Sequence, residues 1–232
     1  MRVIRDWARS WQRVTDGLLQ FAFDLLDDPP EPLALGDMDL GGPGSPVREL
    51  VDSLPWPPFS AWLTPWSLYW WRPVRTHPVR RPAGWREPTL AEEWLRRGAR
   101  LPPRELAYVK GAVGSAFSLL EVEARAPATV FLRDLLLGRR HVLVDPALAD
   151  GVREGWILYA AVARMPFGDA LLGAGPMILR HRGELPVDSL REELHLPAGA
   201  RGVRVLRREW RRVAGTYLRY LAGDPETDAL TR

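Results

Sequence analysis

Between Phe117 and Leu179, short apolar runs are broken by Gly, Pro and Asp at intervals too close for helices and suited to small strands. The runs Phe117 to Ala124, Thr129 to Leu136, His141 to Asp145, Trp156 to Ala163 and Ala170 to Leu179 predict five or six strands. Gly138-Arg139 and Pro166-Phe167-Gly168-Asp169 supply turns between them. Strands this short, joined this tightly, predict a small antiparallel barrel of SH3-like or OB-like type.

Apolar residues on either side follow a helical period. Ile4, Trp7, Trp11, Val14, Leu18, Phe21 and Leu25 form one stripe over residues 3 to 26, which Asp27-Asp28-Pro29-Pro30 ends. Val203, Leu206, Trp210, Val213, Tyr217 and Tyr220 form a second, predicting one continuous helix from Val203 to Leu221. The fold class is therefore α+β, a small barrel flanked by N-terminal and C-terminal amphipathic helices.

The intervening sequence divides the chain into four regions: 1–54, helical with a Pro/Gly-rich linker; 55–113, Trp/Pro-rich and then a helical pair; 114–182, the barrel; and 183–232, helical. Residues 29 to 46 read as a loop and Val47 to Leu54 as a short helix. Residues 55 to 88 hold seven prolines before Pro88 and six tryptophans, which predicts extended segments. Thr89 with Glu92 predicts a capping box for a helix ending at Gly98, and Pro102 or Pro103 opens a second through Val113. Leu185 to Leu196 predicts a short helix.

Phe131-Leu132-Arg133-Asp134-Leu135-Leu136-Leu137-Gly138, then Val142 and Asp145, then Gly155 and Ile157-Leu158-Tyr159-Ala160, resemble a module of uncharacterised bacterial proteins. The resemblance covers about residues 89 to 180, with Leu101 to Ala107 matching the helix that precedes the module. Some members carry the zinc motif found at the C-terminus of the SecA translocation ATPase. With no cysteine in this chain, that site does not carry over. The resemblance implies a fold and no activity.

Cysteine-free composition fits a reducing cytoplasm and excludes disulfides. The first residues, MRVIRDWARSWQRV, carry charge where a signal peptide would be apolar, and no apolar run reaches bilayer-spanning length. A bacterial cytoplasmic location without a membrane span is the expectation.

Motifs for chemistry are weak. Glu192 and His195 have the i,i+3 spacing of a carboxylate-bridged metal helix, but only one such pair exists where two are needed. Gly111-Ala112-Val113-Gly114-Ser115 lacks the Gly-Lys-Ser/Thr end of a phosphate loop, and Gly173-Ala174-Gly175-Pro176 lacks a third glycine; both read as turns. Asp134 and Asp145 could face each other across a hairpin, though each sits in an ordinary turn context. No catalytic residue, metal or cofactor is assigned.

Charge is the stronger signal. Residues 1 to 60 hold five Arg against ten Asp and Glu, while the whole chain carries a net charge of +3. Residues 72 to 104 hold nine Arg against three Glu, and residues 201 to 219 seven Arg against Glu209. Such a division implies either an acidic N-terminal region folded on the basic C-terminal helix or an anionic partner. Arg75, Arg80, Arg81, Arg204, Arg207, Arg208, Arg211 and Arg212 are the candidate contacts to nucleic acid or an acidic partner, the last five on the side of their helix opposite the apolar stripe.

The leading expectation is a non-catalytic binding or adaptor protein with a protein partner. The alternative is a nucleic-acid-binding accessory protein, and a third is an enzyme with a dispersed site. A homodimer through the amphipathic helices is a further expectation.

Overall fold

In the computed structural model the first apolar stripe forms α1 (Arg2–Leu26), with Val14, Leu18, Ala22 and Leu26 buried. The structure describes residues 2–38, 40, 43–54, 56–72, 88–166, 168–179, 187–197 and 200–223. The chain divides into two units, Met1–Asp37 with Leu63–Gly114, and Met38–Trp62 with Ser115–Arg232.

In the first unit, Pro29 to Pro46 is not the predicted loop throughout. α2 (Pro30–Gly36) forms there because Pro30 and Pro32 fall in its first turn, where an amide has no intrahelical acceptor to lose. α3 (Pro46–Ser53), in the second unit, has Ser45 as N-cap, its hydroxyl accepting from the Arg48 amide.

The described part of the Trp/Pro-rich stretch also departs from the extended prediction, while residues 73–87 lie outside the described residues. Residues Trp56–Tyr69 form α4, with Pro57 and Pro58 in the first turn and only Pro65 inside. An interior proline removes one helical hydrogen bond at a cost of about 3 kcal/mol. Burial offsets it: Trp62, Leu63, Trp66, Leu68 and Tyr69 are all closed to solvent. A helix apolar on every side is a buried helix, and propensity yields to packing.

α5 (Leu90–Arg96) starts at the predicted capping box, with both reciprocal bonds between Thr89 and Glu92 formed, and Gly98 follows it at φ +80°. α6 (Pro103–Gly114) completes the first unit, packing with α5 on α1. Arg13 of α1 binds Glu105 of α6 at 2.8 Å. Trp11 packs between Tyr69 and Tyr108, with ring centroids 5.6 and 4.5 Å away.

The second unit contains the barrel: β1 (Phe117–Ala126), β2 (Thr129–Asp134), β3 (Arg140–Val144), α7 (Pro146–Gly151), β4 (Ile157–Met165) and β5 (Gly168–Leu179). The order β1-β2-β3-β5-β4 is closed by the β1–β4 pair. In a meandering SH3-like barrel neighbours are consecutive strands. Here β3 lies beside β5, in parallel through Leu143 and Asp169, which is the Greek-key arrangement of an OB-fold.

Leu120, Val122, Val130, Leu132, Leu143, Leu158 and Ala160 fill the barrel, with Ala149 of α7 and Val152 joining that cluster. The outer side of β1 and β4 is covered as well. Phe117 and Tyr159 meet at 4.8 Å, and Tyr159 stacks on Tyr217 of α10 (Trp210–Gly223) at 4.6 Å.

α8 (Val187–Glu193) and α9 (Ala200–Arg208) precede α10. The predicted single helix from Val203 to Leu221 is interrupted at Glu209, whose carbonyl accepts from both Arg212 and Val213. α9 packs on β1, and α10 on β1 and α3.

Candidate anion-binding helix pair

α9 and α10 turn two faces to different surroundings. Val203, Leu206, Trp210, Val213, Ala214, Tyr217 and Leu218 are buried. Arg201, Arg204, Arg208, Arg211 and Arg212 are exposed. Arg207 is the correction: it is buried, because it lies four residues after Val203 and three before Trp210, on the apolar stripe itself. Arg201 was absent from the predicted set, although its spacing of three and seven residues to Arg204 and Arg208 places it on their face. Arg75, Arg80 and Arg81 lie outside the described residues.

Electrostatics within this ridge are one-sided. Glu209 is its only acid, and Arg208 binds it at 2.9 Å. The Arg211 guanidinium lies 5.0 Å from the Trp210 ring centroid, a cation–π contact that fixes the side chain without neutralising it. Among the described residues Arg201, Arg204 and Arg212 make no ion pair.

Helix dipoles add to the field. Arg208 in the last turn of α9 complements the dipole, while Arg211 and Arg212 stand in the first turn of α10, its positive end, a turn that itself contains no acidic residue. That placement costs the free helix a few tenths of a kcal/mol per charge and strengthens its pull on anions.

The acidic N-terminal region does not neutralise the ridge among the described residues of this unit. α3 packs on α10 with Val47, Leu50 and Val51 buried, while Glu49 and Asp52 stay exposed and Asp52 pairs with Arg48 of its own helix at 3.4 Å. Further acids of the first sixty residues are engaged within the first unit. Asp16 and Asp24 accept from Gln12 and Gln20, and Glu31 accepts from Thr64.

Groups capable of proton chemistry make contacts that hold turns, caps and strands. Asp134 Oδ1 accepts from the Ser118 hydroxyl at 2.6 Å and from the Leu136 and Leu137 amides at 3.0 and 2.8 Å, shaping the turn into β3. Burial pushes its carboxyl above the ordinary range, opposed by those donors and by His141. Asp145 accepts from the Leu148 amide as the N-cap of α7. It therefore does not pair with Asp134. Asp169 Oδ2 accepts from the Val142 amide at 3.1 Å and lies 3.5 Å from His141 Nδ1, while its Oδ1 accepts from Arg164. The phenols of Tyr69 and Tyr108 are pushed up by burial, away from any acid–base role near neutral pH.

The remaining motif expectations resolve locally. α8 ends at Glu193, and His195 follows at φ +47°, so Glu192 and His195 do not share a helical face. Gly111 to Gly114 lie inside α6, and residues 173–176 lie within β5, so neither glycine pair is a turn. Among the described residues no three His, Asp or Glu side chains converge as a metal site, and no helix is long and apolar enough to cross a membrane.

Comparison of the chain with protein-family models, with curated proteins and with solved structures finds no match.

Proposed function

We propose that this chain is a non-catalytic binding protein whose α9–α10 ridge holds the phosphate backbone of a nucleic acid. The observation that carries the reading is the run Arg201, Arg204, Arg208, Arg211 and Arg212, exposed on the flank of an OB-like barrel and opposed by one acid already bound to Arg208. Arginine offers planar, always-charged donors that match phosphate oxygens. The ridge spans roughly 16 Å of helix contour, enough for about three successive phosphate contacts. The commitment of Asp134, Asp145 and Asp169 to turn, cap and strand contacts supports a non-catalytic role.

Fluorescence anisotropy with labelled single-stranded and duplex oligonucleotides of mixed sequence tests this. Binding of either at low ionic strength, weakening as salt rises, is the expected result. Absence of binding at low salt overturns the reading.

A further inference from the structure

Where the aromatic side chains of α9 and α10 go bears on which nucleic acid the ridge can hold. The two helices carry Trp210, Tyr217 and Tyr220. Tyr217 is closed to solvent and stacks on Tyr159 of β4 at 4.6 Å. Trp210 is buried, and the Arg211 guanidinium lies 5.0 Å from its ring centroid. Tyr220 is half-buried, about two turns beyond Arg212, and lines a hollow with Ser189 and Leu190 of α8. None of the three is an exposed ring set among Arg201, Arg204, Arg208 and Arg212. The apolar stripes are buried as well, Val14, Leu18 and Ala22 of α1 and Val213, Tyr217 and Leu221 of α10. These side chains are therefore not free for the homodimer contact expected from the sequence.

On the barrel, Phe131 of β2 is the exposed aromatic residue among the described residues of this unit, while Trp156 packs partly buried on the barrel core. The next side chains on the Phe131 face are Arg133 and its cross-strand partner Arg140. Arg133 meets Glu121 at 2.6 Å and Glu123 at 3.6 Å, and Arg140 meets Glu123 at 3.0 Å. A single strand running along this face from Phe131 would lay its phosphates beside two carboxylates and the arginines they already hold.

We infer that the nucleic acid held by the ridge is base-paired, a duplex gripped through its phosphates. This rests on the phosphate-backbone reading above and narrows it. Proteins that hold single strands add the stacking of successive bases on aromatic rings to a basic track. A ridge of arginines whose neighbouring rings face the core draws its affinity from charge. Charge is denser on a duplex, about one per 1.7 Å of axis against about one per 3.4 Å for either strand. Counterion release favours it too, at about 0.9 per phosphate contact for a duplex and about 0.7 for a single strand. For about three contacts of equal intrinsic strength, that difference alone gives the duplex roughly a sixfold advantage at about 50 mM salt.

Fluorescence anisotropy of the full chain tests this with a short mixed-sequence duplex and each of its separate strands, in DNA and in RNA. The duplex is expected to bind about fivefold or more tightly than its strands at low salt in at least one of the two, and the favoured one names the backbone. Its log affinity should fall against log salt with a slope steeper by about 0.6 than that of the single strands. Phe131→Ala, with an unchanged circular dichroism spectrum, is expected to hold the duplex within about twofold of the wild type. Single strands bound as tightly as the duplex in both DNA and RNA overturn the inference and leave the ridge standing. So does a loss of about tenfold in the folded Phe131 variant, because the barrel face would then take part. A folded wild-type chain that binds no probe overturns the ridge and the duplex together.

Discussion

Gly202 of α9 packs so closely on the β2–β3 hairpin that an added Cβ would stand 2.6 Å from Cδ2 of Leu137 and against the Pro197 carbonyl oxygen. Only a residue without a side chain lets the ridge helix reach the barrel turn. Gly202→Ala is expected to cost about 1–3 kcal/mol, because the Pro197 backbone cannot give way as a flexible side chain would. Thermal unfolding measures this, and an unchanged midpoint would contradict the packing described. Oligonucleotide affinity should fall in the same variant as α9 shifts.

Asp134 is the most heavily used carboxylate of the barrel, and all three of its donors converge on Oδ1. Asp134→Ala leaves buried donors without a partner and is expected to destabilise by on the order of 3 kcal/mol. Asp134→Asn retains an oxygen for these bonds and should cost less. Its folded pKa is raised, so the folded state holds the proton more tightly than the unfolded chain. The contribution of Asp134 is therefore most favourable below its ordinary value of 3.8 and is lost as pH rises through the raised value. Denaturant titrations above and below that window should show this dependence in the wild type and not in the asparagine variant.

Glu93 behaves in the opposite sense. Its buried carboxylate accepts from Arg96 at 2.5 and 2.7 Å and from Arg97 at 2.7 Å. Burial alone would push its pKa up, but the two arginines outweigh burial and hold it below the ordinary 4.5. Stability from this group is present above 4.5 and is lost as pH falls through the lower folded value. Both arginines are partly exposed and screened, so Glu93→Gln is expected to cost only about 1 kcal/mol near neutral pH. The gap between variant and wild type should close on acidification in thermal melts.

Ala128, in the two-residue turn between β1 and β2, sits at φ +62°. A Cβ in the left-handed region costs roughly 1–2 kcal/mol, partly offset by the greater freedom glycine brings to the unfolded chain. Ala128→Gly is expected to raise the thermal midpoint slightly, by about 0.5–1 kcal/mol of stability. A lowered midpoint would contradict the turn geometry.

Much of the fold was legible in the chain because local rules and packing agreed. The Thr89–Glu92 capping box, the α1 stripe and the strand runs around Gly138 were read directly and stand in the structure. Disagreement arose where packing overrode propensity, as at Pro65 in α4, whose neighbours Trp62, Leu63, Trp66 and Tyr69 are buried. Positional meaning mattered too. Prolines 30, 57 and 58 looked like breakers but fall in first turns, and Asp145-Pro146 is an N-cap followed by a first-turn proline. The exposed face of β2–β3 left no trace in the sequence. Val130-Phe131-Leu132 and Val142-Leu143-Val144 are apolar at both parities, so alternation cannot say which side meets water. Arg207 and Arg201 differ in this respect, because their three- and four-residue spacing to Val203, Trp210, Arg204 and Arg208 does fix which side of the helix each takes.

The most direct test of the ridge is the salt dependence of oligonucleotide affinity in the wild type and in Arg204→Glu/Arg212→Glu, two arginines that make no ion pair among the described residues. For the wild type, log affinity should fall against log salt with a slope of about −2 to −3, as three phosphates predict. The double variant should bind at least tenfold more weakly at low salt, with a slope shallower by about 1 to 2. Equal slopes in a folded double variant, or a wild-type chain indifferent to nucleic acid at low salt, would contradict the claim that these arginines hold phosphate.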